Sequence, residues 1–428
     1  MKFLNKQFTQ ETLKLALPVM LTQVGQVSVN LFDNIIVGKL LGAKALAAVS
    51  LGNAMFFSIF IFGLGFSLAI PPLVSEAHSQ HDHNRINSIF RHGFVVNIIL
   101  AFVLMLLIFG IIPLMPYLNQ PKEILPDTIT FLSIVTLSII PFMIFQTMRE
   151  VSEGLSFTIG VTKATIFANI INVILNYVFI ENFKMGVAGS AWATFIARVA
   201  MMVFLYYVLI KEEKTRRYIK DFSLKIKDFS KEMFEKLIRL GFPTALQLFF
   251  EVTAFAGAAF ICGLISAKDI AAHQIALSMA SFTFNLCVGF SVASTVMIGR
   301  KLGEKDFVNL EKVGFNNLKI AFIFMLMCGL VFILGKDVLP TFFTKKEDIA
   351  VVELASQLMI IAALFQLSDG IQVTALGCLR GIQDVKIPSI LTFIAYWVIT
   401  IPLGYYLTVP MKMGAFGMWI ALGIGLTI

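Results

Sequence analysis

Residues 13–41 read LKLALPVMLTQVGQVSVNLFDNIIVGKLL. A helix crosses the roughly 30 Å of a bilayer's hydrocarbon core in about 20 residues, so this stretch is long enough to span. It also carries an anomaly, because Gln23, Gln26, Asn30 and Asp33 follow at steps of three, four and three. Those steps keep four polar groups on one helix face and turn that face away from lipid. A carboxylate at the centre of a membrane helix costs about 2.5–3.5 kcal/mol on insertion scales, so a polar stripe ending in an acid demands a reason. Lys2, Lys6 and Lys14 ahead of apolar residues also fit a secretory signal. The apolar stretch is too long for an h-region of about 7–15 residues, so the span is expected to be retained.

The same kind of run recurs to the end of the chain. Of 428 residues, 58% are hydrophobic and 14% charged, against roughly 25% charged in an ordinary soluble domain. That composition excludes a water-soluble enzyme and a disordered chain. Apolar runs predict spans near 13–41, 46–74, 93–117, 128–149, 162–181, 187–210, 238–265, 271–299, 314–341, 350–377, 387–409 and 413 to the end. The fold class expected is an all-α polytopic membrane protein of twelve transmembrane helices. The last run is short and lacks a polar tail, so the chain is expected to stop inside its final span.

The net charge of +8 is spread through loops and implies no nucleic-acid partner. Alternate loops carry 24 Lys and Arg on the side of the N-terminus and 9 on the other, with Arg198 inside a span. The bias places the N-terminus in the cytosol. The four cysteines (Cys262, Cys287, Cys328, Cys378) form no C-x-x-C pair and read as packing residues. Ten of the 24 cations lie in Lys211–Arg239, which holds six acids and no long apolar run. It divides the chain into an N-terminal six-helix bundle, 1–210, a cytosolic linker, 211–237, and a C-terminal six-helix bundle, 238–428. The halves resemble each other about 225 residues apart. Leu17-Pro18 answers Phe242-Pro243, Gly65-Phe66-Ser67 answers Gly289-Phe290-Ser291, and Lys184-Met185-Gly186 answers Lys412-Met413-Gly414. An even number of helices per half gives repeats of like topology, with a pseudo-two-fold axis along the membrane normal, a common transporter plan.

Three acids fall deep in spans: Asp33, Glu251 and Asp369. Asn172 and Asn176 on the fifth helix and Thr194 on the sixth are candidate neutral-oxygen partners for Asp33, along with Gln23 and Asn30 of its own helix. In the second half Gln247 precedes Glu251 by four, and Gln366 precedes Asp369 by three, with Ser368 and Gln372 nearby. The structural alternative is amide and carboxyl glue between helices. Two acids on different helices suit a proton or a single Na+, since crowding raises one carboxyl's proton affinity and hard oxygens suit sodium; the residues leave both open. The 42 Phe and 19 Met supply an adaptable apolar wall. Gly63-x-Gly65 follows no strand and reads as packing, no phosphate-binding loop exists, and His78, His81 and His83 read as a solvated loop in preference to a metal site.

These residues resemble the multidrug and toxic compound extrusion (MATE) transporters, and within them the NorM-type branch. The likeness rests on Pro18, Asp33-Asn34 and Gly38; on Glu153-Gly154, Thr162-Lys163, Asn172 and Asn176-Tyr177; on Glu251; and above all on Asp369, Gly377-Cys378-Leu379-Arg380-Gly381 and Asp384-Val385-Lys386-Ile387-Pro388. The resemblance implies two six-helix bundles in a V around a central cavity, exporting organic cations against sodium or protons. It implies that Glu251 and Asp369 are the coupling acids of the second half and Asp33 that of the first. Asn176 stands where the proton-coupled DinF-type branch has an acid, which argues against that branch. Phe365 stands where NorM-type members often have an aromatic hydroxyl, so a phenol ligand is lost there.

The function expected is a monomeric secondary antiporter of the bacterial inner membrane, exporting lipophilic and cationic compounds, with no cofactor and with Na+ or H+ as coupling ion. A lipid-linked saccharide flippase of similar architecture is the alternative, disfavoured because Arg198 is the one basic residue placed inside a span. An intramembrane enzyme lacks a His–acid pair, a Ser–Lys pair or a metal motif at membrane depth, and a channel lacks a filter signature or charged rings.

Overall fold

The computed structural model describes residues 4–117, 121–225, 228–343 and 349–428, so Ile226 and Lys227 of the expected linker lie outside the described residues. Everything ordered within them is helical, with no strand. The chain runs through α1 (Lys6–Leu41), α2 (Ala43–Ser67), α3 (Ile70–Ser79), α4 (His83–Ile111), α5 (Leu125–Leu137), α6 (Ile139–Gly154), α7 (Ile159–Tyr177) and α8 (Gly186–Lys211). It continues through α9 (Glu213–Lys220), α10 (Lys231–Gly263), α11 (Ala267–Gly303), α12 (Phe307–Gly335), α13 (Ile349–Gly381), α14 (Lys386–Phe393), α15 (Ile401–Thr408) and α16 (Gly414–Thr427). Among the described residues ten continuous helical stretches are long and apolar enough to span, α5 and α6 form an eleventh bent by 42°, and the apolar α16 is a shorter twelfth. The protein is an all-α polytopic membrane protein of twelve spans.

The sequence repeat is written into the backbone. His81 and Lys305, Ser156 and Gln383, Lys184 and Lys412, and Gly186 and Gly414 all have positive φ, and each pair lies about 225 residues apart. Single left-handed residues end helices by turning the chain after the last carbonyls. Asp82 and Asp306 follow two of these bends and cap the next helices, accepting from Arg85 N at 2.9 Å and Asn309 N at 3.2 Å. The fifth spanning helix of each half carries wide π-helical turns, at Val178–Asn182 and Ile394–Thr400.

Packing departs from chain order. Two compact units form, one of Leu21–Ala245 and the other of the chain through Met20 with Leu246–Ile428. The start of α1 therefore packs with residues from beyond 245, and the start of α10 with residues before 246. The boundaries at 210 and 238 read from composition miss this exchange, because a helix that changes partners midway leaves no break in hydrophobicity. Within the second unit Asn5 N donates to Asn316 Oδ1 (2.8 Å), Thr12 Oγ1 to Asn317 Oδ1 (2.6 Å) and Arg300 to Glu11 (2.9 Å). Within the first, Ser230 N donates to Nε2 of the fully buried His92 (2.9 Å), whose ring meets Phe229 and Phe234 edge-on.

Matching glycines seat the two exchanged segments. A Cβ on Gly65 would lie 2.6 Å from Ala245 Cα, and one on Gly289 would lie 2.7 Å from Met20 Cγ and 2.8 Å from Ala16 O. Overpacking a close helix crossing costs about 1–3 kcal/mol or more. Gly65→Leu and Gly289→Leu should each lower the melting temperature of the detergent-solubilised protein by several degrees. Gly110→Ala, at a site with nothing within 4 Å, should leave it unchanged.

Candidate functional site

The first unit builds its polar cluster by zipping the later part of α1 onto α7. Thr162, Asn169 and Asn176 recur every seven residues, two helical turns, and so lie along one face. Thr162 Oγ1 meets Thr22 Oγ1 at 3.0 Å, Asn169 Nδ2 donates to Gly25 O at 2.9 Å, and Asn176 Nδ2 donates to Asp33 Oδ1 at 2.6 Å. Gly25 leaves room for the middle contact, since a Cβ there would come within 3.0 Å of Asn169 Nδ2. Asn176 Nδ2 also approaches Asn172 Oδ1 (3.3 Å), so Asp33, Asn176 and Asn172 form one buried chain. Arg198 of α8 is within electrostatic reach of Asp33 while its guanidinium donates to Ser138 Oγ (2.6 Å) and lies 4.8 Å from the Phe56 ring centroid and 5.2 Å from that of Phe142. Of the other candidates, Gln23 is buried, Thr194 is half-buried and Asn30 is exposed.

The second unit uses small residues instead. On α11, positions 283, 287, 291 and 295 meet 366, 370, 373 and 377 of α13 in turn. Thr283 Oγ1 donates to Gln366 Oε1 (2.7 Å), Cys287 Sγ approaches Gly370 O (3.9 Å), Ser291 Oγ donates to Val373 O (2.6 Å) and Thr295 Oγ1 to Gly377 O (2.9 Å). A side chain at Gly377 would collide with the Ser291 carbonyl. This parallel seam fixes α13 in register and sets Asp369 inside the unit, 3% exposed. Glu251 of α10, 7% exposed, is within electrostatic reach of Asp369 and of Arg380. Gln247, one turn earlier on α10, is buried as well.

The two clusters differ in how their charge is met. Asp33 has an amide donor, whereas neither Glu251 nor Asp369 accepts a hydrogen bond from any described residue. Two buried carboxyls without protein donors are satisfied by a proton or a small cation. Among the described residues no group of three or more His, Cys, Asp or Glu is placed to hold a metal ion.

The sequence reading missed several groups. Tyr396, fully buried on the wide π-helical turn, is within electrostatic reach of both Glu251 and Asp369, and its hydroxyl reaches Gln372 Oε1 at 3.4 Å. It lies in an apolar run whose periodicity gives no hint of that position, and it supplies a phenol near the acids that Phe365 does not. Arg149 pairs with Glu153 (2.7 Å) and Gln146 with Glu150 (2.5 Å), all buried on α6. Gln146 and Arg149 lie inside the expected fourth span and Glu153 enters only through the resemblance, so the two pairs, visible at a spacing of four, are not read as pairs there. His83, read as part of a solvated loop, pairs its Nδ1 with the Tyr218 hydroxyl at 2.8 Å.

A polytopic helical protein with carboxyl clusters buried between its spans has the form of a membrane transporter. A family model described as MatE matches residues 18–178 and 243–406, and the chain belongs to that family of transporters. It is 31% identical to the multidrug resistance protein NorM of Photobacterium profundum, over 98% of this chain and 92% of that one. It is 33% identical to the probable multidrug resistance protein NorM of Agrobacterium fabrum, over 97% and 90% respectively. Among solved structures, the eukaryotic MATE transporter AtDTX14 shares the fold at a TM-score of 0.89 and 17% identity, covering 98% of this chain and 93% of that one. An outward-facing multidrug resistance MATE family transporter matches at 0.87 and 20%, covering 98% and 92%.

The Asp33–Asn176 contact is testable in isolation. A buried charged-group hydrogen bond whose partner is removed costs about 1–3 kcal/mol. A double-mutant cycle of Asp33→Asn and Asn176→Ala, followed by thermal unfolding in detergent, should give a coupling of about 1 kcal/mol or more. Additive effects would show that the contact contributes nothing.

Proposed function

We propose that the protein is a secondary antiporter that exports lipophilic and cationic compounds in exchange for Na+ or H+ by alternating access, as a monomer in a bacterial inner membrane with its N-terminus in the cytosol. The observation that carries this reading is the pair Glu251 and Asp369, buried within electrostatic reach of each other and without protein hydrogen-bond donors. Such a pair binds a small positive ion strongly, and a bulky organic cation attracted by the same charge competes with it. Linkage makes the competition reciprocal: whatever factor the ion takes from drug affinity, the drug takes from ion affinity. Asp33, with Asn172 and Asn176, is a second ionisable cluster in the cycle, and Thr194, Gln23, Asn30, Gln247 and Gln366 are polar positions that tune it.

The names of the relatives support the class of substrate, since NorM proteins of Photobacterium profundum and Agrobacterium fabrum are described as multidrug resistance proteins. A saccharide-lipid flippase would need a cation free to meet a pyrophosphate. Arg198 is instead engaged by Ser138, Phe56 and Phe142, Arg149 by Glu153, and Arg380 by Ser291 with Glu251 in electrostatic reach, which favours the exporter.

Ethidium efflux from vesicles should run under a sodium gradient alone or a pH gradient alone, and the gradient that works identifies the ion. Glu251→Gln and Asp369→Asn should each reduce gradient-driven efflux by tenfold or more, and should abolish ethidium tolerance in cells lacking their main pumps. Efflux driven by neither gradient contradicts antiport, and full activity in both variants contradicts the assignment of the acids.

A further inference from the structure

The short helix α9 lies between α8 and α10, and its two sides differ in chemistry. Thr215 and Tyr218 of α9 are buried and Ile219 is half-buried, facing Phe90, Met148, Leu155 and Leu209. Thr215 Oγ1 donates to Leu209 O (2.7 Å), Arg216 Nε donates to Ile210 O (3.0 Å), and the Tyr218 hydroxyl meets His83 Nδ1 (2.8 Å). Burial holds the Tyr218 phenol above its ordinary value. These contacts clamp α9 against the end of α8 and fix which of its faces looks outward.

That outward face is basic. Lys211, Lys214, Arg216, Arg217 and Lys220 are exposed, against Glu213 and Asp221 as exposed acids, with Arg217 and Asp221 3.8 Å apart in an open ion pair. Its depth is marked by the helix before it. Tyr206 and Tyr207 are half-exposed in the last turns of α8, a membrane span, and Lys211 Nζ lies 4.5 Å over the Tyr207 ring. Tyrosines at the end of a span sit at headgroup level, and cations clustered next to a span face the phosphates of that leaflet.

We propose that the exposed face of α9 is a docking surface for anionic phospholipid headgroups, with Lys214, Arg217 and Lys220 supplying charge to lipid phosphates beside α8. The clamp holds these side chains in place before lipid arrives, so binding needs no folding of the segment. The occupant is a bilayer lipid, since the surface begins where a spanning helix leaves the hydrocarbon.

The test uses the full chain in bilayers of mixed phosphatidylcholine and phosphatidylglycerol, with spin-labelled forms of each lipid reporting relative association. The wild type should prefer phosphatidylglycerol about two- to threefold, weakening at high salt as exposed charges are screened. K214Q/R217Q/K220Q, which touches none of the clamping bonds, should bring the preference close to one, and K214R/R217K/K220R should keep it. Removing two exposed cations elsewhere, K305Q/K312Q, should leave it intact. Millimolar inorganic phosphate should not displace the lipid; displacement would make the site one for free phosphate. An undiminished preference in K214Q/R217Q/K220Q, or an equal fall in K305Q/K312Q, would overturn the proposal and leave a solvated face.

Discussion

A carboxylate removed from water must be compensated by a nearby donor, proton or cation, because its effective desolvation cost of several kcal/mol is a large share of a fold's net stability. The rest of this molecule is arranged around meeting that requirement in two different ways. In one unit Asp33 is compensated by the protein, through Asn176 and, at longer range, Arg198. In the other, Glu251 has Arg380 within electrostatic reach while Asp369 has only the acid Glu251 as its charged neighbour, and on the proposed reading a mobile ion completes the compensation of this pair. A charge that depends on a visitor titrates with the visitor's concentration, which is what coupling to an ion gradient requires.

Both arrangements rest on backbones brought close together. Membrane helices gain little from burying apolar surface against one another, so they associate through tight contact and hydrogen bonds. Ser291, Thr295, Gly370 and Gly377 serve that purpose for α11 and α13, as Thr22, Gly25 and Asn169 do for α1 and α7. Asp33 and Asp369 stand at these seams, so register and site are set together. Gly65 and Gly289 extend the principle to the exchanged starts of α10 and α1.

Much of this was legible in the sequence, and the reasons are physical. The bilayer fixes helix length, so the apolar runs gave the twelve spans, and the cost of burying charge picked out Asp33, Glu251 and Asp369. Spacing on one face placed Asn172 and Asn176 with each other, and the fold joined them to Asp33. Features created by tertiary proximity were not legible. Tyr396 comes within electrostatic reach of the acids from a separate helix, and the exchange of α1 and α10 between units leaves no mark in hydrophobicity. Asn30 belongs to the polar stripe by spacing but is exposed, while Asp33, one turn on, is buried.

The central claim, that Glu251 and Asp369 hold an exchangeable small cation which a larger one displaces, is tested most directly on purified protein without any gradient. Radioactive sodium retained and protons released are followed together as ethidium is added. The account predicts that ethidium binding expels one of the two ions in a fixed ratio, and that the expulsion disappears in the Glu251→Gln, Asp369→Asn double variant. Ethidium bound by the wild type with neither ion leaving would contradict it.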